Sequence, residues 1–124
     1  MLPLKNLCYY TQHWLMKGNS LSDIDKFLEA VTNDQFVEGH EVLENRWRDL
    51  KKDEKTLNES KILKGLINGS TAIALKLLGK EKGAKTVWAT FEKYRPLIKS
   101  EICKDTPKYL EAQKLLDEKF KLYM

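Results

Sequence analysis

A histidine and two glutamates, His40, Glu41 and Glu44, fall within five residues of one another in the segment between Phe36 and Trp47. Neutral imidazole and carboxylates bind divalent metals and move protons, so the cluster has the residue types of a metal site or an acid–base pair. Read as a helix, the segment places Phe36, His40, Leu43, Trp47 and Leu50 within an arc of roughly 80°, with Glu44 about 40° beyond His40 at the edge. His40 is therefore expected at the centre of the buried stripe. Glu44 stands one turn after His40 and one turn before Arg48, within reach of either, and Glu41 lies further round at the boundary with solvent.

Spacing tests narrow that chemistry. A helical zinc hydrolase motif needs a second histidine four residues after the first, and that position is Glu44. A di-iron carboxylate bundle needs Glu-x-x-His on two helices, but Val37 precedes His40 by three residues and Tyr10 precedes His13 by three. No metal and no cofactor is expected on this basis. Buried polar groups are costly unless paired, so the leading expectation is that His40 and Glu44 form a structural polar pair that fixes helix packing. The alternative is an enzyme or small-ligand or metal binder, with His40, Glu41 and Glu44 in a cleft, Trp47 as its wall and Arg48 as an anion contact. Trp47 itself lies on the apolar stripe, where an indole anchors a core.

The elements that must position these residues read as helices throughout. Leu4, Leu7, Cys8 and Leu15 mark a first helix over 4–17 that ends at Gly18, with His13 on its exposed side. Ser20 and Asp23 resemble a capping arrangement before a second helix that carries Ile24, Phe27, Leu28 and Val31 and ends near Asn33 and Asp34. The third helix, about Phe36 to Lys51, holds the His-Glu cluster, and a solvated loop follows to Asn58. Leu63, Leu66, Ile67, Ser70, Ile73, Ala74, Leu77 and Leu78 then predict a long central helix up to Gly79. A fifth helix over about 83–95 turns Val87, Trp88, Phe91 and Tyr94 inward and stops at Pro96. Thr106 and Pro107 pair an N-cap with a proline at the first helical position, starting a last helix with Leu110, Leu115, Leu116 and Phe120 inward. Short connections favour antiparallel neighbours, which makes the expected fold an all-α compact bundle of about five to six helices, one domain over 1–124.

In the central helix Gly65 and Gly69 are four residues apart and Ala72 is near, leaving a side with almost no bulk where another backbone can approach. Lys61, Lys64 and Lys76 on the same helix rule out the membrane use of that spacing, so it predicts close helix packing within the chain or across a homo-oligomer. A glycine inside a helix costs about 1 kcal/mol relative to alanine, which the packing must offset.

Composition bounds the rest. At 124 residues with 42% hydrophobic and 32% charged residues, the chain is a globular mixture with no apolar run of membrane-spanning length. The segment from Met1 to Tyr10 lacks the apolar core and cleavage site of a signal peptide, so a cytoplasmic protein is expected, with Cys8 and Cys103 as reduced thiols. The net charge of +4 is spread among acidic residues rather than gathered in a stripe, which does not favour nucleic-acid binding.

The pattern Phe-x-x-x-His-Glu-Val-Leu-Glu-x-x-Trp from Phe36 to Trp47, the Gly-Leu-Ile run between Lys64 and Asn68, and then Gly79, Gly83 and Ala84 resemble the helical family of unknown function numbered 309. The resemblance covers about 36–96 and implies an all-α fold with no assigned activity. It also implies glutamines flanking the Gly-Leu-Ile run and a later histidine, where this chain has Lys64, Asn68 and Leu75. His40, Glu41, Glu44 and Trp47 match the pattern. The functional expectation is an interaction or scaffold module, self-associating, with a protein partner not identified by the sequence.

Overall fold

The computed structural model describes residues 22–123. The helix expected over 4–17, with His13, Cys8 and Gly18, lies outside the described residues. Within them the chain forms α1 (Asp23–Thr32), α2 (Phe36–Leu50), a 3-10 turn (Glu54–Thr56), α3 (Leu57–Leu77), α4 (Glu81–Tyr94), the single-turn α5 (Leu97–Ser100) and α6 (Thr106–Tyr123). There is no strand among the described residues, and the fold is an all-α bundle. No helix among them is long and apolar enough to cross a membrane.

The helix ends follow local chemistry. Ser22 caps α1: its Oγ accepts from the Asp25 N–H at 3.3 Å and donates to Asp25 Oδ2 at 2.8 Å, two residues later than the Ser20 and Asp23 pairing expected. At the other end Asp34 takes a left-handed φ of 60°, and the Gln35 and Asp34 N–H groups close onto the Ala30 and Val31 carbonyls at 2.8 and 3.1 Å. The same double closure ends α3. Gly79, at φ 81°, and Lys80 donate to the Lys76 and Leu75 carbonyls, both at 2.9 Å. A glycine accepts that conformation without strain; Asp34 is one of the few residue types that tolerate it. The loop expected to run to Asn58 is exposed but shorter, since Leu57 already opens α3 and Thr56 Oγ1 donates back to the Leu50 carbonyl at the end of α2.

α3 is the central helix. It packs on α2, α4 and α6, and Ile62, Leu63, Leu66, Ile67, Ala72 and Ile73 are buried around most of its circumference, the mark of a helix enclosed by neighbours. Its last turn departs from expectation. Leu77 and Leu78 are 54% and 69% exposed, at the end of the helix just before the closure at Gly79. One cluster of buried residues joins α1 (Ile24, Phe27), α2 (Phe36, Leu43), α3, α4 (Phe91), α5 (Ile98) and α6 (Tyr109, Leu116).

Glycines set the closest approaches. A Cβ on Gly69 would stand 2.9 Å from Leu116 Cδ1 and 3.2 Å from Phe91 Cγ, and one on Gly65 would stand 3.2 Å from Tyr94 Cβ. The bare side of α3 thus receives α4 and α6 of the same chain, with Ala72 fully buried beside it. Gly39 of α2 serves likewise: a Cβ there would lie 2.9 Å from Ser70 Oγ of α3 and 3.4 Å from Phe27 and Val31 of α1. Ser70 Oγ donates to the Phe36 carbonyl at 2.5 Å, which pins the N-terminal turn of α2 to the middle of α3.

Candidate functional site: the cleft between α2 and α3

α2 turns His40, Glu44 and Trp47 towards one edge of α3, at spacings of four and three residues. α3 answers with Lys64, Ile67, Asn68 and Thr71, again one face of a helix. Together these side chains line a cleft of about 210 Å³. Trp47 and Ile67 supply its apolar lining, and the other side chains are polar.

His40 is held at both ring nitrogens. Nδ1 lies 3.2 Å from Thr71 Oγ1, and Nε2 lies 3.5 Å from Glu44 Oε2. Which of the two groups donates in the Thr71–His40 contact is set by the tautomer of the ring. Thr71 Oγ1 also donates to the Ile67 carbonyl at 2.9 Å. Glu44 Oε1 accepts from Arg48 Nη2 one turn on. The chain Thr71–His40–Glu44–Arg48 therefore runs from the wall of the cleft to solvent.

The position of His40 differs from the sequence expectation. Its side chain is 39% exposed and that of Glu44 32%, so both stand at the rim of an open cleft rather than at the centre of the core. The buried line of α2 is Phe36, Gly39 and Leu43, with Glu38 buried beside it. The cause is Gly39. A stripe drawn through the large apolar side chains ignores glycine, yet the closest approach of α2 to α1 and α3 is made there, and the helix rolls towards it. The buried line through Phe36, Gly39 and Leu43 lies about 30° round the helix from the expected stripe, on the side away from His40, which leaves the histidine at the rim. Glu41 is exposed and does not line the cleft, so His40, Glu41 and Glu44 are not brought together. Arg48 is exposed and reaches the cleft only through Glu44. No group of three or more His, Cys, Asp or Glu side chains suited to a metal ion occurs among the described residues.

A second polar cluster, on the opposite edge of α2, escaped sequence reasoning. Arg46 Nη2 lies 3.3 Å from Glu59 Oε2 of α3 and 3.2 Å from Asp105 Oδ2, just before α6. Tyr109, fully buried on α6, donates its hydroxyl to the same Glu59 oxygen at 2.5 Å. Burial, and then the Glu59 carboxylate, push the Tyr109 phenol well above its ordinary range. The Arg46 guanidinium is partly buried and keeps its charge beside the Glu59 and Asp105 carboxylates. The available signal was positional: Arg46 follows Leu43 by three and Gly39 by seven, which puts a cation on the buried line of α2, where it must find carboxylates.

The family model described as "Domain of unknown function (DUF309)" matches residues 24–87, just over half of the chain. The match begins at α1, earlier than the resemblance read from the motifs, and ends within α4; it contains both walls of the cleft. No curated protein and no solved structure matches the chain.

Proposed function

This chain belongs to the DUF309 family, whose function is unknown, and we propose that it is an interaction module whose α2–α3 cleft receives a side chain of a protein partner. The observation that carries this reading is the size and lining of the cleft. Pockets that enclose small molecules are typically about 300–1,000 Å³, whereas this one is about 210 Å³ and open to solvent on one side. That is room for one bulky side chain, with Trp47 and Ile67 to receive it. Burying such a side chain contributes about 1.5–3 kcal/mol, enough to anchor a weak partner but not to hold it alone. In this reading the Thr71–His40–Glu44 chain keeps the wall of the cleft in place.

The test is quantitative affinity capture with the wild-type chain and with Asn68→Trp, which places an indole in the cleft from a half-buried position. Both proteins must melt alike by circular dichroism. A partner retained by the wild type and lost by the variant supports the reading; equal retention of the same proteins by both refutes it.

Self-association is a second reading, favoured by Leu77 and Leu78, which stand exposed beside a groove lined by Phe36, Val37 and Ala74. Exposed apolar patches of this kind mark contact surfaces. Sedimentation equilibrium on the wild type and on Leu78→Glu tests it, and a wild-type chain that stays monomeric at the highest soluble concentration refutes it. Gly65, Gly69 and Ala72 lend this reading no support, because α4 and α6 already occupy that face.

A further inference from the structure

The charge around the cleft narrows the kind of partner, and this step rests on the reading that the cleft holds a protein side chain. Inside the cleft the one carboxylate, Glu44, is already engaged by Arg48 and His40. At its rim the Lys51 Nζ lies 4.2 Å from the centre of the Trp47 ring, and the Lys64 Nζ lies 6.0 Å from that of Tyr94. Neither ammonium has a carboxylate partner among the described residues, so the unneutralised charge at the rim is positive. Lys51 stands over one face of Trp47, whose side chain still lines the cleft, and Lys93 as well as Lys64 stands over Tyr94.

We propose that the partner of this cleft is an acidic peptide segment in which one leucine- or phenylalanine-sized side chain is flanked by carboxylates. The apolar side chain enters against Trp47 and Ile67, and the flanking carboxylates pair with Lys51 and Lys64. Each half of the requirement is weak alone. An exposed ion pair adds little, and a single buried side chain gives marginal affinity, so selectivity comes from having both on one short segment.

The experiment is a nuclear magnetic resonance titration of the full chain with three synthetic octapeptides and one oligonucleotide. The peptides are a leucine flanked by glutamates, the same leucine flanked by lysines, and a glutamate–alanine peptide without leucine; the oligonucleotide is a uridine octamer. The glutamate-flanked leucine peptide is expected to move the backbone resonances of Glu44, Trp47, Lys64 and Ile67, more weakly at high salt. Lys64→Glu, an exposed change whose fold is checked by circular dichroism, is expected to weaken that binding by about threefold, since it replaces attraction with repulsion. If the lysine-flanked peptide binds as well as the glutamate-flanked one, the acidic partner is wrong while the cleft reading stands. If no peptide moves these resonances, both are wrong. Uridine octamer binding at the same residues, in preference to the peptides, overturns the proposal in favour of nucleic acid.

Discussion

Gly69→Ala and Gly83→Ala form a matched pair in which the same chemical change should have opposite signs. Both glycines lie inside helices, and replacing either by alanine gains about 1 kcal/mol from helix propensity and from a less flexible unfolded chain. They differ in what the new methyl meets. At Gly83 the nearest atom is Leu75 Cδ1 at 3.6 Å, an ordinary van der Waals contact, so nearly all of the gain should survive. At Gly69 the methyl would lie 2.9 Å from Leu116 Cδ1 and 3.2 Å from Phe91 Cγ at once. A leucine tip can move when it has somewhere to go, but Leu116 and Phe91 are both fully buried, and Cγ is the root of the ring rather than a free end. Overpacking of that kind costs about 1–3 kcal/mol, and two simultaneous contacts put this site in the upper half of that range. The net expectation is a loss of about 1–2 kcal/mol for Gly69→Ala and a gain of up to about 1 kcal/mol for Gly83→Ala. For a domain of this size 1 kcal/mol corresponds to roughly 4 °C in Tm, so the two variants should melt about 4–12 °C apart. Urea denaturation gives the free energies directly. A Gly69→Ala protein as stable as the wild type would show that α4 and α6 do not hold the face of α3 as closely as described.

Tyr109→Phe should lose about 1–3 kcal/mol at neutral pH, because a buried hydroxyl to a carboxylate is removed. Since folding raises the Tyr109 phenol above its usual value near 10, its contribution is complete below pH 10 and declines above it by about 1.4 kcal/mol per pH unit; the Phe variant should lack that part of the alkaline slope in urea melts. Asp34→Asn, which tolerates the left-handed turn but loses the Lys119 ion pair, should be milder than Asp34→Ala, which adds about 1–2 kcal/mol of backbone strain; equal loss for the two, read from urea midpoints, would deny the strain argument. At acid pH, hydrogen bonding to Lys108 holds the Asp25 carboxyl below its ordinary value, so its contribution is present above about pH 4 and lost as the pH falls through the depressed value. Asp25→Asn should therefore flatten the acid limb of the stability profile below about pH 4, and an unchanged limb counts against that pair.

Legibility in the sequence divided by the type of signal. α1 to α4 and α6 were readable because their apolar residues recur at helical spacing and their ends carry local signals, among them Gly79, Pro96 and Thr106 followed by Pro107. Even there the details moved. Thr106 Oγ1 accepts from the Cys103 N–H at 2.8 Å, outside the helix, rather than from a first-turn amide. The short α5 has too few residues to show a period at all. The difference at Leu77 and Leu78 is of another kind: both extend the apolar pattern of α3 and yet face solvent, because periodicity records where a helix is apolar and not where its neighbours stop.

The cleft shows the same limit at finer scale. Which face of α2 turns inward depends on the residue with no side chain, and a stripe fitted to Phe36, Leu43 and Trp47 cannot weigh Gly39. A roll of about 30° separates a histidine in the core from a histidine on the rim. The same rotation accounts for Arg46: with the buried line running through Gly39 and Leu43, position 46 falls on it, and the cation is drawn into the interface with α3 and α6, where Glu59 and Asp105 meet it. The two polar clusters of α2 are thus consequences of a single packing choice. His40 and Glu44 go to the side that opens into a cleft, and Arg46 goes to the side that is sealed by Tyr109. A substitution that fills Gly39 should accordingly disturb both, moving His40 relative to Thr71 and Arg46 relative to Glu59 together, since each is positioned by the same rigid helix.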